Sequence, residues 1–150
     1  MTTFRASRIV EFGETDMAAI VHFSNFFRYM ESAECAFLRS LGLGVKLEWE
    51  GQTLGFPRVA ASCDYLSPIR FEDMLDIDVN VLRLGQKSVT YGFDMNCKSK
   101  AIAKGQVTSV CCAVLGEKKW ESIEIPASYR ARLEPFVIVA KEKEATDQHG

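Results

Sequence analysis

The stretch FGETDMAAIVHFSNFFRYMES, residues 12–32, opens as a glycine-bearing polar loop that carries Asp16 and then turns apolar, aromatic and helix-like. From Ser24 onward, Phe26, Met30, Ala33, Phe37 and Leu41 step by four, three, four and four, with Arg28, Glu31, Glu34 and Arg39 between them. That spacing is the apolar stripe of an amphipathic helix. About 18 residues at 1.5 Å each make it about 27 Å long, the width of a small sheet. Ser24 or Asn25 is placed to accept hydrogen bonds from its first amides, and Gly42 and Gly44 supply the stop. Phe27 and Tyr29 fall off the stripe and could line a pocket or a subunit contact, with core the plainer role for most of these aromatic residues.

Working outward, residues 3–12 alternate in the period-two manner of a strand, ahead of the GETDM break. Residues 45–57, with Gly51, Gly55 and Pro57, read as a connector holding a short helical or irregular piece. Four runs rich in Val, Ile, Tyr and Phe follow at 58–66, 74–84, 88–98 and 101–115. Short polar links between them predict antiparallel hairpins arranged as a meander. The last run is apolar on both faces, with Cys111 and Cys112 pointing opposite ways. SYRARLEPF, residues 128–136, forms a short helix or an edge piece. The expected architecture is α+β: a long central helix wrapped by a curved antiparallel five-stranded sheet. Residues 1–136 form the domain, and the charged residues 137–150 form a mobile tail.

A chain of 150 residues that is 47% apolar fits one domain. With 25% charged residues and a formal net charge of −2, no global field draws it to nucleic acid or to an anionic membrane. Neither a secretory signal nor an apolar run of about 18 residues is present, so a soluble cytoplasmic protein is expected. The five cysteines, Cys35, Cys63, Cys97, Cys111 and Cys112, lack C-x-x-C spacing. They read as reduced small hydrophobes rather than a disulfide framework or a metal site.

Two stretches carry a resemblance. FGETDMAAIVHFSNFFRYMESA, residues 12–33, resembles the D-x-x-G-I/V-V signature of the 4-hydroxybenzoyl-CoA thioesterase family, of hotdog fold. PRVAASCDYLSPIRFEDMLDI, residues 57–77, is similar to that family's strand, Pro-containing turn and following acidic residue. With the strand order, the likeness spans residues 3–120. It departs at Ala19, where the family has glycine, and at Phe23, where some members have histidine; His22 stands one residue earlier.

The resemblance implies hydrolysis of an acyl or aroyl thioester to the free acid and coenzyme A, without a cofactor. Asp16 would act as nucleophile or as general base, and the Phe23 amide would meet the developing oxyanion. Glu31 matches a position that contacts the acyl group in some relatives. Arg83 and Lys87, flanking the Gly85-Gln86 turn, would grip the nucleotide phosphates. His22 is a further substrate-contact candidate, with packing or hydrogen bonding at the helix start as its plainer role. The resemblance also implies a homodimer or homotetramer with active sites at subunit interfaces. Plainer roles stand beside the others too: a turn or cap for Asp16, a solvated charge for Glu31 and a solvated hairpin tip for Arg83 and Lys87. The alternative function is a catalytically silent acyl-CoA-binding module, favoured if Ala19 has disabled the loop.

Overall fold

The computed structural model describes residues 2–138, so the tail expected over 137–150 lies, from 139 on, outside the described residues. The elements are β1 (Phe4–Ile9), α1 (Asn25–Ser40), β2 (Lys46–Trp49), β3 (Gln52–Gly55), β4 (Arg58–Tyr65), β5 (Met74–Leu84), β6 (Ser88–Cys97), β7 (Lys100–Val110), β8 (Cys112–Gly116), β9 (Lys119–Ser122) and α2 (Ala127–Leu133).

Five strands pair antiparallel in the order β1-β5-β6-β7-β4. β5, β6 and β7 form the expected meander, but β4 does not sit beside β5. It pairs with β7 at the far edge, from Arg58↔Ser109 to Tyr65↔Ala103. The eight residues 66–73 linking β4 to β5 therefore cross over two strands. That distance is about 14 Å at 4.8 Å per strand, which a tight hairpin cannot span.

A second sheet, β2-β3-β8-β9, corrects two further expectations. Residues 45–57 are a β-hairpin rather than an irregular connector. Glu50 and Gly51, both at positive φ (49° and 82°), form the two-residue turn between β2 and β3. This is the backbone such hairpins need, with Glu in place of the usual Asn or Asp. The run 101–115 is also two strands. The chain leaves the main sheet at Cys111, whose amide donates to Lys87 O at 2.7 Å, and enters the second sheet as β8.

Helix α1 lies on one face of the main sheet. Its buried residues are Phe26, Tyr29, Met30, Ala33, Glu34, Phe37 and Leu38. Tyr29 thus takes the core role, and Glu34 is buried with it. The Phe37 ring packs against Phe4 of β1 at 5.6 Å and Tyr91 of β6 at 6.0 Å between centroids. Met30 sits so close over Gly105 of β7 that a Cβ there would collide with its sulfur, which explains the glycine. At the C-terminus Leu43 N donates to Leu38 O at 2.8 Å and Gly42 N to Arg39 O at 3.1 Å, with Gly42 at φ +74°. This paired closure with a left-handed glycine is the Schellman stop. At the N-terminus the expected side-chain cap is absent. Ser24 makes no cap bond, and the Asn25 side chain donates to Glu14 O at 2.8 Å.

Candidate active site

Between β1 and α1 the chain makes a narrow hairpin. Thr15 bridges Val21, Asp16 N donates to Ile20 O at 2.8 Å, and His22 N donates to Glu14 O at 2.9 Å. The turn closes with Ala19 N donating to Asp16 O at 2.9 Å, and Ala19 adopts φ +68°. Ala19 thus adopts the left-handed conformation that glycine takes more readily than a residue with a Cβ.

Within that turn the half-buried Asp16 carboxylate is divided. Oδ1 accepts the amides of Ala18 at 2.8 Å and Ile20 at 3.4 Å. Oδ2 has no partner among the described residues, which leaves it available to a ligand. The Phe23 amide likewise donates to no acceptor among the described residues, while the two amides that follow it are engaged: Ser24 N with His22 Nδ1 at 3.2 Å and Asn25 N with His22 O at 2.9 Å.

Asp16 and Phe23 line one cavity of about 370 Å³, walled by Ile20, Phe26, Tyr65, Leu66 and Ile69. A mostly apolar concavity of that size with a few converging polar groups is the usual form of a small-molecule site. Phe26 packs edge-on to Tyr65 at 5.3 Å and Phe23 edge-on at 6.3 Å, and the Tyr65 hydroxyl donates to Phe23 O at 3.3 Å. On its other side Asp16 borders a second apolar hollow with Phe12, Met17 and Phe71.

The remaining sequence candidates stand elsewhere. His22 is exposed, stacks on Phe23 at 4.8 Å and pairs through Nδ1 with Ser24 Oγ at 2.8 Å, shaping the helix start. Glu31 lies 3.6 Å from Arg58 and faces a separate cavity of about 530 Å³ between α1 and β4. Arg83 and Lys87 are exposed at the β5–β6 tip. The Asp16 hairpin sits by the opposite end of β5, where Val10 N donates to Asp73 O at 2.9 Å. Nine residues of β5 separate the two ends, roughly 30 Å at 3.3 Å per residue. Within one protomer the fold therefore unites Asp16 with Phe23, and neither Glu31 nor Arg83 and Lys87 joins them.

Sequence reasoning did not single out Tyr65, which lines the same cavity as Asp16. Tyr65 closes β4 just ahead of the Pro68 crossover, and only the strand order shows that it faces Asp16. Burial pushes the thiols of Cys63, with help from Asp64, and of Cys111, with help from Cys112, up to about 11, so neither is a thiolate nucleophile at neutral pH. Among the described residues no cluster of His, Cys, Asp and Glu is arranged to hold a metal ion, and no helix is long and apolar enough to cross a membrane.

The sequence profile of the thioesterase-like superfamily matches residues 10–133. The chain belongs to that superfamily. It is 26% identical over 119 residues to a 1,4-dihydroxy-2-naphthoyl-CoA hydrolase of Nostoc punctiforme, covering 79% of this chain and 80% of the relative. The solved gentisyl-coenzyme A thioesterase is similar at 28% identity and TM-score 0.74, covering 87% of this chain and 98% of that one. A 4-hydroxybenzoyl-CoA thioesterase, solved as an aspartate-to-asparagine variant with 4-hydroxybenzoyl-CoA bound, matches at 17% identity and TM-score 0.75 over 87% and 98% of the two chains, and shows the fold. The two sheets and helix α1 are thus a hotdog thioesterase fold.

Proposed function

We propose that this thioesterase-superfamily enzyme hydrolyses an acyl-CoA thioester to the free acid and coenzyme A, with Asp16 as the reacting group. The observation that carries this reading is the pairing, on one apolar cavity, of a carboxylate oxygen and a backbone amide that both lack partners among the described residues. The hydrolase activities of the naphthoyl-CoA and gentisyl-CoA relatives support the substrate class.

The chemistry needs few groups because a thioester is already activated. With Oδ2 as nucleophile, the carboxylate attacks the carbonyl carbon, the thiolate leaves and takes a proton, and water then opens the mixed anhydride. With Oδ2 as general base, it takes the proton from a water that attacks the same carbon, and the C–S bond then breaks as that proton passes to the leaving thiolate. In both routes the oxyanion accepts the Phe23 amide near the start of α1, where the aligned helix dipoles favour negative charge. The two amides on Oδ1 hold the carboxylate still, so little reorganisation accompanies the reaction.

The functional unit in this reading is a homodimer or homotetramer built around α1 as the central helix. β4 is one of the two edge strands of the main sheet, with β1 the other, and most of its residues are exposed. An open edge of this kind is a template for a second copy. Glu31 then meets the acyl group, and Arg83 and Lys87 meet the nucleotide phosphates, across a subunit boundary; none of the three reaches Asp16 in its own protomer.

Free-thiol release from a panel of aroyl, branched and medium-chain acyl-CoAs tests the reading. Turnover of at least one member is expected. Tight binding without turnover across the panel would favour the silent acyl-CoA-binding module.

A further inference from the structure

We propose that Glu14 is the positioning residue of this site, the group that holds the Asp16 hairpin in register with the Phe23 amide. The inference rests on the role assigned to Asp16 above. Glu14 lies two residues before Asp16, at the base of the hairpin, and its side chain is only 18% exposed. Oε1 accepts the Tyr29 hydroxyl at 2.8 Å and the Glu11 amide at 2.9 Å. Oε2 accepts Arg8 at 2.6 Å. The backbone carbonyl of the same residue accepts the His22 amide at 2.9 Å and the Asn25 side chain at 2.8 Å.

Five hydrogen bonds accepted by one residue therefore tie together β1 through Arg8, the hairpin through His22, and α1 through Asn25 and Tyr29. The partners are themselves fixed. Tyr29 is 1% exposed, and the Arg8 guanidinium lies over its ring, 4.7 Å from the centroid. Burial and the Glu14 carboxylate push the Tyr29 hydroxyl well above its usual range, so it stays a donor at any working pH. Hydrogen bonds to an ionised acceptor are worth roughly twice neutral ones, and this carboxylate receives three.

The consequence is geometric. Asp16 follows Glu14 by two residues on one arm, and Phe23 follows His22 by one on the other. The bond from His22 N to Glu14 O sets the offset between the arms, and the side-chain bonds set the hairpin against the helix. Without them the carboxylate and the oxyanion donor are free to move relative to each other, and misplacement by about 1 Å can cost a hundredfold in rate.

The test is Glu14→Gln, which keeps the shape, removes the charge and sets an amide NH2 or a neutral oxygen against Arg8. Thiol release is measured per folded enzyme on an acyl-CoA that the panel shows to be turned over. The expected result is kcat lower by about tenfold or more, with KM within about threefold. In an Asp16→Asn background the same substitution is expected to change the residual kcat by less than about twofold, because it acts through Asp16. Tyr29→Phe, which removes one bond from the helix side and leaves the ring, is expected to lower kcat several-fold at constant KM; it carries the test if Glu14→Gln does not fold. Unchanged kcat per folded enzyme in these variants, or a full additional loss in the Asp16→Asn background, overturns the inference. Full activity of Asp16→Asn would instead overturn the parent reading, whereas full activity of Glu14→Gln beside an impaired Asp16→Asn overturns this inference alone.

Discussion

The amide of Asp16 donates to the carbonyl of Ile20 at 2.8 Å, closing a turn in which Ala19 holds φ +68°. A residue with a Cβ costs about 1–2 kcal/mol in that conformation, while a glycine would lose about 0.4–1 kcal/mol more chain entropy on folding. Ala19→Gly is therefore expected to stabilise the protein by up to about 1.6 kcal/mol and to leave kcat unchanged. Urea unfolding together with thiol-release kinetics checks both; a clear loss of stability would show that Ala19 is unstrained.

Glu34 is buried on α1 at 1% exposure, and its Oε1 accepts Arg58 Nε at 3.1 Å and the second guanidinium nitrogen at 2.9 Å. Oε2 is buried without a hydrogen-bond partner among the described residues. Burial raises the Glu34 carboxyl above its usual value, and Arg58 offsets part of that rise. An acid whose folded pKa is raised holds its proton more tightly in the folded state. Its ionisation thus costs stability as pH rises from the unfolded through the folded pKa, and acidification through that window restores it. Arg58→Ala removes the offset and leaves a buried carboxylate alone, a loss on the order of 3 kcal/mol at pH 7. Urea melts at pH 7 and pH 5 are expected to show the penalty shrinking at the lower pH. An equal penalty at both would contradict the pairing.

The sequence made the strands and the Asp16 loop readable for identifiable reasons. The helical stripe from Phe26 to Phe37 and the β-branched runs of β5, β6 and β7 are local patterns, and burial of one face enforces them. What stayed hidden was non-local or chemically unusual. The β2–β3 turn uses Glu50-Gly51, which lacks the Asn-Gly or Asp-Gly signature. The sheet switch at Cys111 falls inside an unbroken apolar run. The placement of β4 beside β7 depends on a crossover that no local window reveals. In the candidate site, Asp16 drew attention through its motif. Glu14 and Tyr65 did not, because their contacts are with residues as distant in sequence as Tyr29 and Phe23.

The exposed edge of β4 predicts that sedimentation at micromolar concentration will find at least a dimer of the 16.8 kDa chain. A monomer under those conditions would contradict the assembly. With Arg83 and Lys87 roughly 30 Å from Asp16 along β5, their phosphate role depends on that assembly. Lys87→Ala is expected to raise KM for acyl-CoA several-fold with kcat little changed, and to leave an acyl-pantetheine substrate unaffected. Equal effects on both substrates would remove Lys87 from the site.

The most direct test of the central claim is the rate of thioester hydrolysis by Asp16→Asn. Asparagine keeps the shape and can still accept the Ala18 and Ile20 amides, but it is neither a nucleophile nor a base. Stability and oligomeric state should stay within about 1 kcal/mol of wild type, and a non-hydrolysable acyl-CoA analogue should still bind. The account predicts that kcat falls by about a hundredfold or more; near-wild-type hydrolysis by a well-folded Asp16→Asn protein would contradict it.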